Sequence, residues 1–174
     1  EKRFFNFEWW LPVVMTRLFT TALEHGIEIL SVQDLIRKHS LYPETPPLHI
    51  DNWPWPVKIF TLGQFRIERE GKPLRSPGKV QKKPHEMLKA LIAFGGRDVP
   101  GEQIAAALWP DADGDAAYKA FGITLIRLRE LLGVKDAVHL SEGNVTLDQR
   151  YFWIDTWAFE NAVESAECGV RSEK

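Results

Sequence analysis

Two isoleucines on the outer side of a charged helix are the residues in this chain that most call for a partner. In the stretch 115–133, DAAYKAFGITLIRLRELLG, Phe121, Leu125, Leu128 and Leu132 recur at helical spacing and share one side. At about 100° per residue, the far side carries Lys119, Ile123, Ile126 and Glu130, with Arg127 and Arg129 on opposite flanks. A helix that faces only water would place Lys, Glu or Gln at 123 and 126. Apolar side chains beside Lys and Arg suit a DNA major groove, where alkyl groups meet thymine methyls and cations meet guanine and phosphate. A protein partner is the other candidate for this face.

Other chemistries find less support. Asp111-Ala112-Asp113-Gly114-Asp115 starts like a calcium loop, but that loop needs glycine at its sixth position and an acid at its twelfth. Ala116 and Gly122 stand there instead. Helix capping by Asp113 or Asp115 is the expected role of these carboxylates. The five histidines show no metal-ligand spacing. No glycine-rich phosphate loop, nucleophile elbow or pair of catalytic carboxylates is present, so neither an enzyme nor a cofactor site is expected.

The charge distribution points the same way as the helix. The 174 residues carry a net charge of −2, yet residues 57–150 hold 15 basic and 12 acidic side chains while both flanks are acidic. Lys72, Arg75, Lys79, Lys82, Lys83 and Lys89 lie close together with Glu86 the one acid among them, a footprint suited to nucleic acid or simply to a solvated loop. No apolar run approaches the roughly 18 residues of a membrane span, so no membrane partner is expected. The single cysteine, Cys168, excludes an internal disulfide and fits a reducing cytoplasm. A chain beginning at Glu1 reads as a piece of something larger.

The elements that must position the helix follow in order. Residues 10–25 read as a helix with Val13, Val14, Leu18, Ala22 and Leu23 inward. Ser31 opens a second helix with a capping signal, giving a helical hairpin over 1–42 that needs neighbours to bury a core. It could be the last unit of a helical-repeat array or could pack on the next domain. Residues 43–56 contain five prolines and read as a stiff connector, with at least one of Trp53 and Trp55 expected to pack on a surface. From Val57 the period changes to two, so Val57, Ile59, Thr61, Phe65 and Ile67 share one side of a strand bent at Gly63. Helices over 84–94, 100–109 and 115–132 follow. A hairpin then turns at Glu142-Gly143, which pairs Leu140 with Val145 and Val138 with Leu147 and gives one wholly apolar face. Trp153, Ile154, Trp157 and Phe159 open a last helix, 151–174. Strands, three helices and a hairpin make an α+β fold of winged helix-turn-helix type, with an N-terminal antiparallel sheet and a C-terminal β-hairpin wing, preceded by the helical hairpin.

Four segments carry a resemblance: VKIFTLGQF at 57–65, QKKP at 81–84, LWPD at 108–111 and RLRELLG at 127–133. They resemble the OmpR/PhoB-like winged-helix DNA-binding domain (57–150) of antibiotic-regulatory-protein (SARP) type activators. WIDTWAFE at 153–160 looks like the point where such proteins pass into their bacterial transcriptional activator domain. The resemblance implies a sequence-specific transcriptional regulator that binds double-stranded DNA. It implies that Lys119, Gly122, Ile123, Ile126 and Arg127 face the groove, and that Arg129, Lys82 and Lys83 meet phosphate. It also implies a contact with RNA polymerase through loop 110–114, and upstream helical-repeat or sensor domains in the same polypeptide. The wing departs from the family: its tip, 141–144, carries no Arg or Lys, so Asn144 or His139 would have to substitute. The alternative is a winged-helix module for protein–protein interaction that has lost DNA binding, with Ile123 and Ile126 covered by the N-terminal helices or a second copy.

Overall fold

The computed structural model describes residues 11–74 and 82–172, with side chains described up to residue 168. The fold is mixed α+β and is built on two adjoining cores.

The smaller core gathers around helices α1 (Pro12–Glu24) and α2 (Ile29–Lys38). Phe19, Leu23, Val32 and Ile36 fill it from the helices. On α1 the buried side is rotated from the one expected: Val13, Val14 and Leu18 are exposed, while Phe19 and Leu23 are buried. The helix is apolar on more than one side, and Phe19, the largest of these side chains, removes the most surface from water. Helix α2 starts at Ile29, ahead of the expected cap, after Glu28 in a left-handed conformation at φ 43°. Ser31 therefore lies in the first turn and donates to the Glu28 carboxylate.

The proline-rich segment is no extended connector. It folds back over the helices and buries Ile50, Trp53 and Trp55 among them. Trp55 Nε1 donates to the Ile50 carbonyl, Gln33 to the Asn52 carbonyl, and Asn52 to the Leu23 carbonyl. Leu48 packs against both cores, and its carbonyl accepts from Trp153 Nε1 at 3.0 Å. Gln149 donates to the Glu44 carbonyl, and Tyr42 lies 5.1 Å from Tyr151 between ring centroids. The helical hairpin thus docks on the 149–153 side of the larger core.

That core lies between two small sheets and three helices. Strands β1 (Val57–Phe60), β2 (Arg66–Arg69) and β3 (Lys72–Pro73) form an antiparallel meander. Residues 57–67, expected as one bent strand, are two strands joined by the turn 61–65. The alternation of Ile59, Thr61, Phe65 and Ile67 continues through the turn, which hides it in the sequence. Helix α3 (Lys82–Ala93), the short strand β4 (Val99–Pro100), α4 (Gly101–Leu108) and α5 (Gly114–Leu132) follow. Strands β5 (Val138–Ser141) and β6 (Asn144–Leu147) form the hairpin, in the register expected. Glu142 and Gly143 both have positive φ, 51° and 84°, as a two-residue turn of right-twisted strands requires. Leu140 sits beyond the edge of the core, so the hairpin face is not apolar throughout: Leu140 is 43% exposed, whereas Val138, Val145 and Leu147 are buried.

The chain closes on itself through β7 (Phe152–Ile154), which pairs in parallel with β1 and gives the sheet order β3-β2-β1-β7. The first sheet is therefore mixed rather than wholly antiparallel. Trp153 and Ile154, expected to open the last helix, lie in this strand, and α6 (Asp155–Ser172) begins after it. Helical spacing of Trp153 and Trp157 mimics a helix here, but the free edge of β1 takes up the first three residues.

Asp155 holds the junction. Its carboxylate accepts from the Thr61 amide and hydroxyl, the Leu62 amide and the Thr156 amide. Burial pushes the Asp155 pKa up, but these hydrogen bonds outweigh it and hold it below the usual carboxylate range. A depressed folded-state pKa gives stability that is present above the unfolded value and lost as pH falls through the folded one. Asp155→Asn should therefore cost about 1–2 kcal/mol at pH 7. The gap to the parent protein should close in acid below the ordinary carboxylate range. Urea denaturation of both proteins at neutral and acid pH measures it, and a gap independent of pH would show that the charge is not what matters.

Candidate nucleic-acid interface

Helix α5 is the most thoroughly supported element of the larger core. Phe121, Leu125, Leu128 and Leu132 are buried, as the spacing predicts, and Ala117 is buried with them, against α3, α4 and the hairpin. Gly133 ends the helix in the left-handed conformation at φ 71°. Asp113 occupies the position before the helix, but neither its carboxylate nor any other side chain caps it. The Asp113 backbone carbonyl accepts the first helical bond, from Ala117. Its carboxylate and those of Asp111 and Asp115 are exposed around the N-terminal end of the helix.

The outer side of α5 is uncovered. Ile123 is 47% exposed and Ile126 is 57% exposed, so the N-terminal helices do not lie on them. Two rows run along this side at four-residue steps, Lys119–Ile123–Arg127 and Gly122–Ile126–Glu130. Lys119 and Arg127 are exposed and form no ion pair with a described residue. Gly122 has no internal reason to be glycine: a Cβ there would meet nothing within 4 Å.

Not every cation expected at this surface remains available. Lys82 is exposed at the first turn of α3 and has no ion pair among the described residues. Lys83 donates from Nζ to the Leu108 carbonyl at 2.9 Å, pairs with Glu86 at 3.0 Å and lies over the Trp109 ring. It ties the start of α3 to the end of α4. Arg129 is half-buried and donates from Nε to the Val138 carbonyl at 3.0 Å, which pins α5 to the hairpin. Asn144 donates to Asp98 at 2.9 Å, and His139 lies 3.2 Å from Asp148. The Asp148 carboxyl, raised by burial but lowered further by Arg150 and His139, lies below its usual range. Of the basic run, Arg75 and Lys79 lie outside the described residues, as does Gln81 of the QKKP segment. Lys89 stands over the Phe65 ring.

The hairpin is latched to α4 by a contact with no signal in the sequence pattern. The Gly101 amide donates to the Gly143 carbonyl at 2.8 Å, and a Cβ on Gly101 would approach that oxygen to 2.9 Å and the Phe121 ring to 3.0 Å. Beside loop 110–114, α4 and the start of α5 enclose a groove of about 700 Å³ with Trp109, Ala117 and Tyr118 among its walls and Glu102 and Asp115 on it. No group of three His, Cys, Asp or Glu able to hold a metal exists among the described residues, and no helix among them is long and apolar enough to cross a membrane.

The open space at Gly122 gives a direct test of where its constraint lies. Gly122→Ala should stabilise the fold by up to about 1 kcal/mol, the helix-propensity difference, as read by urea denaturation. Destabilisation instead would mean that the fold itself requires the glycine. No family model, curated protein or solved structure matches this chain.

Proposed function

We propose that the chain is a sequence-specific DNA-binding regulator of the winged-helix kind, with α5 in the major groove and the β5–β6 hairpin as the wing. The observation that carries this reading is the uncovered outer side of α5. It combines two cations without ion pairs among the described residues, an exposed isoleucine pair and a glycine that no internal contact demands. The order of strands, three helices and a hairpin agrees with it. Lys82 supplies a phosphate contact at the start of α3, and the two terminal nitrogens of Arg129 supply another while Nε holds Val138. Lys83 and Asn144 contribute through the internal bonds that set the surface. The groove beside loop 110–114 suits a protein partner such as RNA polymerase. The outward Val14 and Leu18 of α1, with Leu11 just before it, suit a stacked helical unit upstream.

A second reading keeps the fold and exchanges DNA for a protein partner. The tip of the wing favours it, because Glu142 and no cation stands there. The two readings separate by salt. Selection of duplexes from a random library should enrich a motif, and its affinity should fall steeply with ionic strength. Arg127→Ala should lose discrimination between cognate and random duplexes at a cost of about 1–3 kcal/mol. Lys82→Ala should weaken both alike and reduce the salt slope by about one. Fluorescence anisotropy at two salt concentrations measures all three. Absence of an enriched motif, with association that ignores salt, would establish the protein-partner reading.

A further inference from the structure

We infer that Ile123 and Ile126 read thymine through its C5-methyl group; this rests on the DNA-binding reading above. The outward side chains of α5 define what can be recognised. Bidentate readers of adenine are Asn and Gln. Neither occurs among Tyr118, Lys119, Gly122, Ile123, Ile126, Arg127 and Glu130, the groove-side residues from the second turn onward. Lys119 and Arg127 suit guanine, and Glu130 suits the cytosine amino group. The central positions are alkyl, and in the major groove the one alkyl group offered by the bases is the thymine methyl.

Three further features favour this over incidental exposure. Isoleucine is branched at Cβ and has one strongly preferred χ1 in a helix, so little side-chain freedom is lost when it meets a methyl. Gly122, one turn before Ile126, lets the helix backbone approach closely, because the space a Cβ would occupy is open. The exposed Asp111, Asp113 and Asp115 repel phosphate at the N-terminal end. The middle of α5, rather than its first turn, therefore lies deepest. Along the row Lys119–Ile123–Arg127 each step is about 6 Å, close to two base steps at about 3.4 Å. A contacted thymine and a contacted guanine then fall about two steps apart. A protein partner fits the row less well at Lys119, since lysine is depleted in such interfaces.

The test alters the DNA and not the protein. In a duplex selected by the full chain, each thymine is replaced in turn by deoxyuridine, which removes the methyl alone. One or two positions should lose about fourfold in affinity each, the equivalent of roughly 0.8 kcal/mol per buried methyl. Ile123→Ala and Ile126→Ala should each bind the thymine and deoxyuridine duplexes equally at one of those positions, with circular dichroism unchanged. A selected motif with no deoxyuridine-sensitive position would overturn the methyl reading and leave DNA recognition standing. No selected motif at any salt concentration would overturn both. Self-association abolished by Ile126→Asp would assign the face to a second copy and overturn the methyl reading.

Discussion

Phe121 sits on α5 where three elements converge, and it is 1% exposed. Its ring passes beneath Gly101 at the start of α4, close to the Gly143 carbonyl at the turn of the β5–β6 hairpin. A helix packed from one side by two other helices and from its flank by a hairpin cannot rotate about its axis. Arg129 reinforces this from the other end by holding the Val138 carbonyl. The orientation of Lys119, Ile123, Ile126 and Arg127 is thus set by the burial of residues on the opposite side. Any larger side chain at Gly101 would disturb the outer side of α5 without touching it.

The same packing sorts the cations into two groups. Lys83, Lys89, Arg129 and Arg150 each have an internal carbonyl, carboxylate or ring to satisfy them. Lys82, Lys119 and Arg127 have no ion pair among the described residues. Within the first group Lys83 and Arg150 face a carboxylate that offsets their charge, whereas Lys89 and Arg129, held by a ring and a neutral carbonyl, keep it as Lys82, Lys119 and Arg127 do. The helical unit packs through Tyr42 and Leu48 on Tyr151 and Trp153, and Lys82, Lys119 and Arg127 remain exposed.

How much of this was legible varied with how local the cause was. The buried stripe of α5 and the hairpin register follow from spacing and from the two residues Glu142-Gly143, so the sequence pattern carries them. The β1–β2 turn was hidden because Thr61 and Phe65 continue a period of two through it. Strand β7 was hidden because its pairing partner, β1, lies about ninety residues earlier. The inward side of α1 was ambiguous because Val14, Met15, Leu18, Phe19, Ala22 and Leu23 spread over about half of its circumference. The bonds of Lys83 to Leu108, Arg129 to Val138 and Asn144 to Asp98 depend on tertiary approach and leave no periodic trace. The outer side of α5 was readable as unusual, but whether the helical hairpin covered it was not.

Parallel pairing of β1 with β7 has a mechanical consequence. The chain enters the larger unit at the N-terminal end of β1 and leaves it at the C-terminal end of β7, and the two strands lie side by side. Tension between the flanking segments therefore pulls them lengthwise in opposite directions. The bonds between them, together with the Asp155 bonds to Thr61 and Leu62, are loaded in shear and must yield together rather than one at a time. Neighbouring parts of a polypeptide can tug on this unit, or transmit movement to it, without peeling the sheet open and releasing the core on which α5 rests.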